Sequence, residues 1–264
     1  MKIVKSISAE FIKLKFAPIF SLIAFSLFVV GAIVFFASYM GVNDSVKMGQ
    51  SPWPRNLNAG LAIYSIFILI PFVVMFVSTG VFVENQAKGW KSIYATPNKR
   101  SSIFFSKLLS LLFAIFLLTV AMMILTILVT YMIDFLLPEY EYRFYRPDVS
   151  SLFKGYVHAY ISILGVIGIQ YFLSLRVKGF LIPMSFGVLM FIVGFIVSTA
   201  DKPFALYSPY SYPGIVKDHS MFTIGKIGVT HDYWLSNVEV YSILIFMFFV
   251  TAALLLEIKK NVTN

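Results

Sequence analysis

The sequence predicts an all-α membrane protein: six transmembrane helices preceded by an amphipathic interfacial helix, with both termini in the cytoplasm. Three observations support this prediction. Of the 264 residues, 59% are hydrophobic and only 12% are charged, whereas about 25% of the residues of a soluble domain are charged. Six apolar runs are each close to the roughly 20 residues that a helix needs to cross the hydrocarbon core. Basic residues concentrate on one side of the resulting arrangement.

The N-terminal segment predicts a helix that lies in the inner membrane interface rather than across it. Its apolar face consists of Ile3, Ile7, Phe11 and Leu14. Lysines occupy the opposite face, and a helix of this kind binds at the boundary between acyl chains and anionic headgroups. The alternative is a plain basic flank that only sets the topology. The chain is therefore divided into an interfacial helix over residues 1–15 and a six-span domain over residues 16–264.

The six predicted spans are continuous apolar runs. They cover residues 16–40, 61–83, 108–133, 156–175, 180–199 and 240–256. Runs of this length indicate helices, because a membrane β-strand shows only about ten residues of alternating character. The fourth and fifth spans are separated by residues 176–179 alone, which predicts a tight turn between two antiparallel helices.

The distribution of charge predicts the orientation. The side that holds both termini, residues 84–107 and residues 176–179 carries 13 Lys and Arg against three acidic residues. The opposite side, with residues 41–60, 134–155 and 200–239, carries eight Lys and Arg and nine acidic residues. Because cytoplasmic loops are enriched in Lys and Arg, we expect the first side to be the cytoplasm. This topology also accounts for the net charge of +9, so we expect no nucleic acid partner.

Several function classes are disfavoured by what the spans lack. Ion-coupled carriers place ionisable residues at mid-bilayer, whereas here such residues fall at span ends. No serine-hydrolase or metalloprotease motif occurs, and the absence of Cys excludes thiolate metal sites. The Gly225-Lys226 pair lacks the first glycine and the hydroxyl residue of a phosphate-binding loop. We expect no catalytic residue, cofactor or metal in this chain.

The outer loop over residues 200–239 is predicted to fold. It is longer than the roughly 12–15 residues beyond which a loop usually has structure or function, and it is too aromatic for disorder. We expect short helices on the outer membrane surface with their aromatic side chains at the headgroup level. Trp53 and Trp234 are expected to be anchors at the same depth. The alternative is a flexible loop in water.

The cytoplasmic loop over residues 84–107 has a pattern of its own. Trp90, Ile93 and Tyr94 recur at helical spacing, and Pro97 ends the short helix that they predict. The basic residues around this helix are Lys88, Lys91, Lys99 and Arg100. An amphipathic helix at the inner membrane face suits docking into a groove on a cytosolic partner. Two alternatives remain open: a solvated basic connector and, for Trp90, a lipid anchor.

Four features resemble the permease subunits of type-2 ATP-binding-cassette (ABC) exporters. Residues 8–15 resemble the elbow helix before the first span of that family. The second feature is an order of residues along the chain that resembles the family's coupling-helix region: Glu84, Gly89, Pro97, Arg100 and Lys107. The third feature is six spans with both ends inside, and the fourth is a long outer loop that opens with residues 208–213. In this family that loop often forms short helices that dip into the outer leaflet. Size and loops are most similar to those of the bacteriocin-immunity and peptide-export branch.

The resemblance implies an ATP-driven exporter in the bacterial cell membrane. Its partners would be two cytosolic ABC ATPase subunits, which bind ATP and Mg²⁺, and a second permease subunit, identical or related. The residues that it assigns to ATPase coupling are Glu84, Lys88, Gly89, Trp90, Lys91, Ile93, Tyr94, Pro97, Lys99 and Arg100. Because the spans lack charge, we expect an apolar path for a hydrophobic or amphipathic substrate, such as a peptide, an antimicrobial or a lipid-like molecule. The alternatives are a non-transporting scaffold, assembly factor or sensor, and a gradient-driven carrier.

Overall fold

The computed structural model describes most of the chain beyond the first predicted span. The described residues are 24–25, 27–29, 31–33, 35–36, 51–86, 100–140, 142–177, 179–200, 203–216 and 234–259. The regular structure within these ranges is helical throughout. The predicted interfacial helix, with Ile3, Ile7, Phe11 and Leu14, lies outside the described residues. Most of the first predicted span also lies outside them, although the described residues between 24 and 36 are helical.

Five helices of the described part are long and apolar enough to cross a membrane, and they correspond to the second through sixth predicted spans. The second span is α1 (Trp53–Ile63), a π-helical turn (Tyr64–Ile68) and α2 (Leu69–Gln86). The next two spans are α3 (Arg100–Leu136) and the pair α4 (Val149–Ser162) and α5 (Leu164–Arg176). The fifth span is α6 (Leu181–Thr199).

Short helical segments occupy the described parts of the connections that the predicted topology places outside, which are called the outer connections. After α3 come two 3-10 turns, Pro138–Tyr140 and Tyr142–Phe144. After α6 come Pro203–Tyr207, Pro209–Ser211 and α7 (Tyr212–Val216). The last span is α8 (Asn237–Lys259).

Helix α3 is longer than the third predicted span. Its 37 residues extend for about 55 Å at 1.5 Å per residue, whereas the hydrocarbon core is about 30 Å thick. The helix begins at Arg100, so residues 100–107 of the predicted cytoplasmic loop continue the span. The rest of that loop between Gln86 and Arg100, residues 87–99, lies outside the described residues.

Helix α5 lies at the centre of the bundle, packed against α2, α6 and α8. Its residues Val166, Ile167 and Tyr171 are fully buried. Backbone contact with α8 is close, because a Cβ on Gly168 would lie 3.0 Å from Phe246 Cα. By contrast, α6 has an extensive exposed apolar surface, which suits a helix that faces lipid or another subunit.

The fourth span is broken at Ile163, and a side chain of the sixth span satisfies the break. Ser242 Oγ accepts a hydrogen bond from the Gly165 N–H at 2.9 Å. The same hydroxyl lies 3.0 Å from the Ile161 carbonyl oxygen and 2.8 Å from that of Ser162, and it shares its single hydrogen between them. An interrupted helix is tolerated at membrane depth only where neighbouring groups satisfy the freed backbone, so Ser242 stabilises this kink.

The outer end of the second span is anchored by protein contacts rather than by lipid. Trp53 is 1% exposed, and its indole N–H donates to the carbonyl oxygens of Tyr142 and Tyr145, both at 3.0 Å. The expectation that Trp53 is an interfacial anchor is therefore wrong: the loop after α3 folds over it. Trp234, at 64% exposed, is available for that role.

Helix α4 begins with a side-chain cap. The Asp148 carboxylate accepts hydrogen bonds from the Ser151 hydroxyl at 2.6 Å and from the Ser151 N–H at 3.1 Å. These bonds hold the pKa of the Asp148 carboxyl below its usual range, and the bond from the Ser151 hydroxyl has the larger effect. The capped end marks where the chain re-enters the bundle after the outer loop.

Candidate functional site

The coupling residues predicted from the sequence lie at and between the facing ends of α2 and α3. Glu84 is in the last turn of α2, and Arg100 is the first residue of α3; their side chains are not described. The others lie outside the described residues: Lys88, Gly89, Trp90, Lys91, Ile93, Tyr94, Pro97 and Lys99. The docking helix that the sequence predicts over these residues stays a prediction.

The inner part of α3 is packed into the bundle. Near the start of α3, Phe104 and Lys107 are 6% and 5% exposed. The Tyr171 hydroxyl of α5 donates to the Phe104 carbonyl oxygen at 3.2 Å, and the two rings are 5.3 Å apart. Tyr171 thus links the beginning of α3 to the central helix α5.

A buried hydroxyl cluster joins the second, third and fourth spans. The Tyr64 hydroxyl lies 2.6 Å from Thr119 Oγ1, and the Tyr156 hydroxyl lies 2.8 Å from Thr126 Oγ1. Thr119 donates its own hydrogen to the Ile115 carbonyl oxygen, so Tyr64 is the donor in its pair. The Tyr156 hydroxyl also lies 3.5 Å from the Met122 carbonyl oxygen, to which Thr126 donates. Tyr64 also opens the π-helical turn, and such turns occur frequently at functional sites.

The segment that follows α6, residues 203–216, is a small folded unit, which we call the outer segment because the predicted topology places it outside. The Tyr212 hydroxyl donates to the Leu206 carbonyl oxygen at 3.0 Å. The Ser211 hydroxyl donates within the same segment, with the Ala205 and Ser208 carbonyl oxygens at 2.5 and 2.6 Å. Its short helices agree with the expectation of a folded loop over these residues.

The aromatic side chains of the outer segment do not all lie where the sequence places them. Tyr210 and Tyr212 are 1% and 2% exposed, so they point into the protein rather than to the headgroup level. Phe204 and Tyr207 are exposed at the surface of the fold. Two of the four aromatic side chains in residues 203–216 are therefore used for internal packing.

Tyr210 docks the outer segment onto the spanning helices. Gln170 Nε2 of α5 donates to the Tyr210 hydroxyl at 2.9 Å. Two glycines of α6 make room for this contact. A Cβ on Gly194 would lie 2.7 Å from the Tyr210 carbonyl carbon, and one on Gly187 would overlap both Gln170 Nε2 and the Val74 side chain of α2. Side chains from α2, α5 and the outer segment thus meet on the face of α6 that packs against the other helices.

Unpartnered polar atoms lie beside this docking contact. Gln170 Oε1, Ser174 Oγ and Ser78 Oγ are buried without a hydrogen-bond partner in the described part of the chain. Ser174 is one helical turn beyond Gln170 on α5, and Ser78 is one turn beyond Val74 on α2. We call the three residues Gln170, Ser174 and Ser78 the polar floor; of these, Gln170 contacts the outer segment.

A hydrogen-bonded pair of side chains joins the fourth and sixth spans at the ends that the predicted topology places outside. His158 Nδ1 lies 2.6 Å from Glu239 Oε1, and the two side chains are 14% and 1% exposed. Glu239 Oε2 also accepts from the backbone N–H and the hydroxyl of Ser236, each at 2.8 Å. The Trp234 ring lies 5.2 Å from the His158 ring. Both carboxyl oxygens of Glu239 thus have hydrogen-bond partners, as buried polar atoms usually do.

The polar groups of the interior can bind and hold but are poorly suited to acid–base chemistry. Where the structure describes the spans, the groups near their middles are hydroxyls and one amide, and the charged side chains lie toward the ends. No three His, Asp or Glu side chains of the described ranges come together as metal ligands. The interior of the described spans is therefore less purely apolar than the composition of the chain suggests.

Some of these residues had a signal in the sequence and others had none. Thr119 and Thr126 are seven residues apart in an apolar helix, a polar stripe that could have been found. Ser236 and Glu239 have the Ser-x-x-Glu spacing of a capping box. Gln170 and Tyr210 carry no such signal, because only the tertiary fold brings them together.

Comparison with known proteins gives one match. The family model described as ABC-2 family transporter protein matches residues 6–194. That range covers well over half of the chain and includes the predicted coupling loop. No curated protein and no solved structure matches the chain.

Proposed function

This chain belongs to the ABC-2 transporter family, and from that premise we propose that it is the permease subunit of an ATP-driven exporter. The match over residues 6–194 is the observation on which the proposal rests. The membrane component of an ABC transporter is not itself the ATPase, so ATP and Mg²⁺ would be bound by two partner subunits in the cytoplasm. A second permease subunit, identical or related, would complete the transporter.

We propose that residues 88–100 dock on the ATPase and transmit its closure. Their place between the ends of α2 and α3 supports this assignment. Trp90, Ile93 and Tyr94 would insert into the partner, with Lys91, Lys99 and Arg100 at the rim, because buried aromatic anchors supply most of the energy of an interface. This requires the basic side of the membrane to be the cytoplasm of a bacterial cell.

The substrate class that we propose is hydrophobic or amphipathic, such as a peptide, an antimicrobial or a lipid-like molecule. Two observations support it: the exposed face of α6 is apolar, and the hydroxyls and the amide of the interior are uncharged. A small ion would need charged or carbonyl ligands along the path. An amphipathic molecule needs apolar surface with a few hydrogen-bonding groups.

Copurification tests the proposed function. The tagged chain would be extracted from its native membranes in mild detergent and the bound proteins quantified. We expect an ABC ATPase in a one-to-one ratio with the permease chain. Recovery of the chain without any ATPase, under conditions in which a known ABC-2 transporter stays intact, would contradict the proposal.

A further inference from the structure

We propose that the outer segment, residues 203–216, is a plug held in place by the hydrogen bond between Tyr210 and Gln170 and by the apolar packing of Ile215 and Val216 with Val238 of α8. Release of this latch would uncover the polar floor between α2, α5 and α6 from the outer side. The role of the plug in transport rests on the proposed export function. The latch itself is a property of this chain alone and can be measured without an ATPase or a substrate.

The docking site of the plug is shaped for close contact with one side chain. Tyr210 is 1% exposed, and its ring centroid lies 6.5 Å from that of Phe186 on α6. The backbone of Tyr210 rests directly on Gly194, where any Cβ would overlap it. Gly194 is five residues before the outer end of α6 at Thr199, about 7.5 Å at 1.5 Å per residue. The segment therefore re-enters the bundle rather than resting on its rim.

The floor beneath the plug has buried polar atoms that the covered state leaves without partners. Gln170 is 0% exposed and Ser174 is 3% exposed, yet each has a polar atom without a partner among the described residues. Buried polar groups in stable interiors are nearly always hydrogen-bonded. Groups that become hydrated whenever the plug is released satisfy that requirement in the second state. Ser65 Oγ and Ser106 Oγ, elsewhere in the described part of the chain, are also buried without a partner. The docking contact of Tyr210 with Gln170 and Gly194 therefore carries the proposal.

The plug is able to move as one piece. Hydrogen bonds inside it join the Tyr212 hydroxyl to Leu206 and the Ser211 hydroxyl to Ala205. These bonds do not depend on the spanning helices, so they survive release. The Tyr210 hydroxyl, by contrast, is bonded across the boundary, to Gln170 of α5. Loss of this bond should favour release without unfolding the plug.

Cysteine accessibility tests the latch, because the chain has no native Cys. Val74, fully buried beside Gln170, would be replaced as the reporter (Val74→Cys) in the full chain in nanodiscs. The rate of its modification by a charged methanethiosulfonate would be measured with and without Tyr210→Phe. A hydrogen bond between membrane helices shifts an equilibrium by about threefold to twentyfold, so we expect the rate to rise by that factor.

Two controls make the result specific. Tyr212→Phe removes a comparable hydroxyl from the same segment, but its bond is internal, so the Val74→Cys rate should stay unchanged. Met122→Cys, fully buried in α3 beside the hydroxyl cluster, should stay unmodified in both backgrounds. An unchanged rate in Tyr210→Phe, or an equal rise in Tyr212→Phe, would overturn the latch. Neither result would bear on ATPase copurification, so the two proposals fail separately.

Discussion

Replacement of Ser242 by Ala tests whether a single hydroxyl stabilises the break in the fourth span. Ser242 accepts from the Gly165 N–H at 2.9 Å and donates to the carbonyl oxygens around the break, the closer being that of Ser162 at 2.8 Å. Ser242 is fully buried, so no water can take over these bonds. In Ser242→Ala the Gly165 N–H loses its partner while the helices stay packed around it.

The expected loss follows from these contacts. A buried donor left without a partner costs about 1–3 kcal/mol, and a hydrogen bond between membrane helices averages about 0.6 kcal/mol. Ala is a better helix former than Ser by up to about 0.5 kcal/mol, which offsets part of the loss. We expect Ser242→Ala to lower the free energy of unfolding by about 1–2 kcal/mol.

The matched control is Thr251→Ala in the same helix. Thr251 is exposed, and its hydroxyl bonds to carbonyl oxygens of α8 itself, those of Met247 and Phe248. We expect a change within about 0.5 kcal/mol for this variant. Reversible unfolding in mixed micelles would give both free energies. If the two variants have the same stability, Ser242 does not stabilise the break and the reasoning is refuted.

Three further predictions concern the hydroxyl cluster, the topology and the docking helix. Tyr64→Phe removes the buried hydroxyl that donates to Thr119 and should lower the free energy of unfolding by about 0.6–1.7 kcal/mol; an effect below about 0.3 kcal/mol in the same unfolding assay would argue against it. Asn98→Cys should be protected from an impermeant thiol reagent in intact cells and labelled after permeabilisation, because basic loops stay inside; labelling in intact cells would reverse the topology. Trp90→Ala combined with Tyr94→Ala should release the ATPase in a pulldown while the chain still inserts, since truncating an interface anchor typically costs about 2 kcal/mol or more; retention of the ATPase would favour the lipid-anchor interpretation of Trp90.

The spans were predictable because their signal is one-dimensional. An apolar run of about 20 residues can satisfy its backbone in lipid only as a helix, so composition along the chain is sufficient. The start of α3 at Arg100 was not predictable in this way. Residues 100–107 mix polar and apolar side chains, and there Phe104 and Lys107 are buried by the fold, with Tyr171 of α5 packed against Phe104.

The interior contacts were predictable only where both partners are close in sequence. Ser236 and Glu239 form a capping pair three residues apart and could be found by spacing. Gln170 and Tyr210 are 40 residues apart, and nothing local marks either of them as a partner. Their pairing depends on the fold of the segment after α6, which brings Tyr210 back to the bundle. It also depends on the two glycines of α6 that leave space for the contact.

The aromatic residues of the outer connections show that composition alone does not predict whether a side chain faces lipid or the protein interior. Tyr and Trp near a span end suit both a lipid interface and a buried hydrogen bond, because each has an apolar ring and a polar tip. Trp53 and Tyr210 use the tip inside the protein. The same residue types therefore predict two locations, and only tertiary structure distinguishes them.

The central claim is that residues 88–100 contact an ABC ATPase. Site-specific photo-crosslinking in living cells tests it most directly, with a photoreactive phenylalanine analogue placed at position 90 and, as the control, at the exposed position 234 of the opposite side. The account predicts a crosslinked product at position 90 that contains the permease chain and an ATPase, and none at position 234. Crosslinks from position 90 to lipid alone, in cells where the ATPase is present, would contradict it.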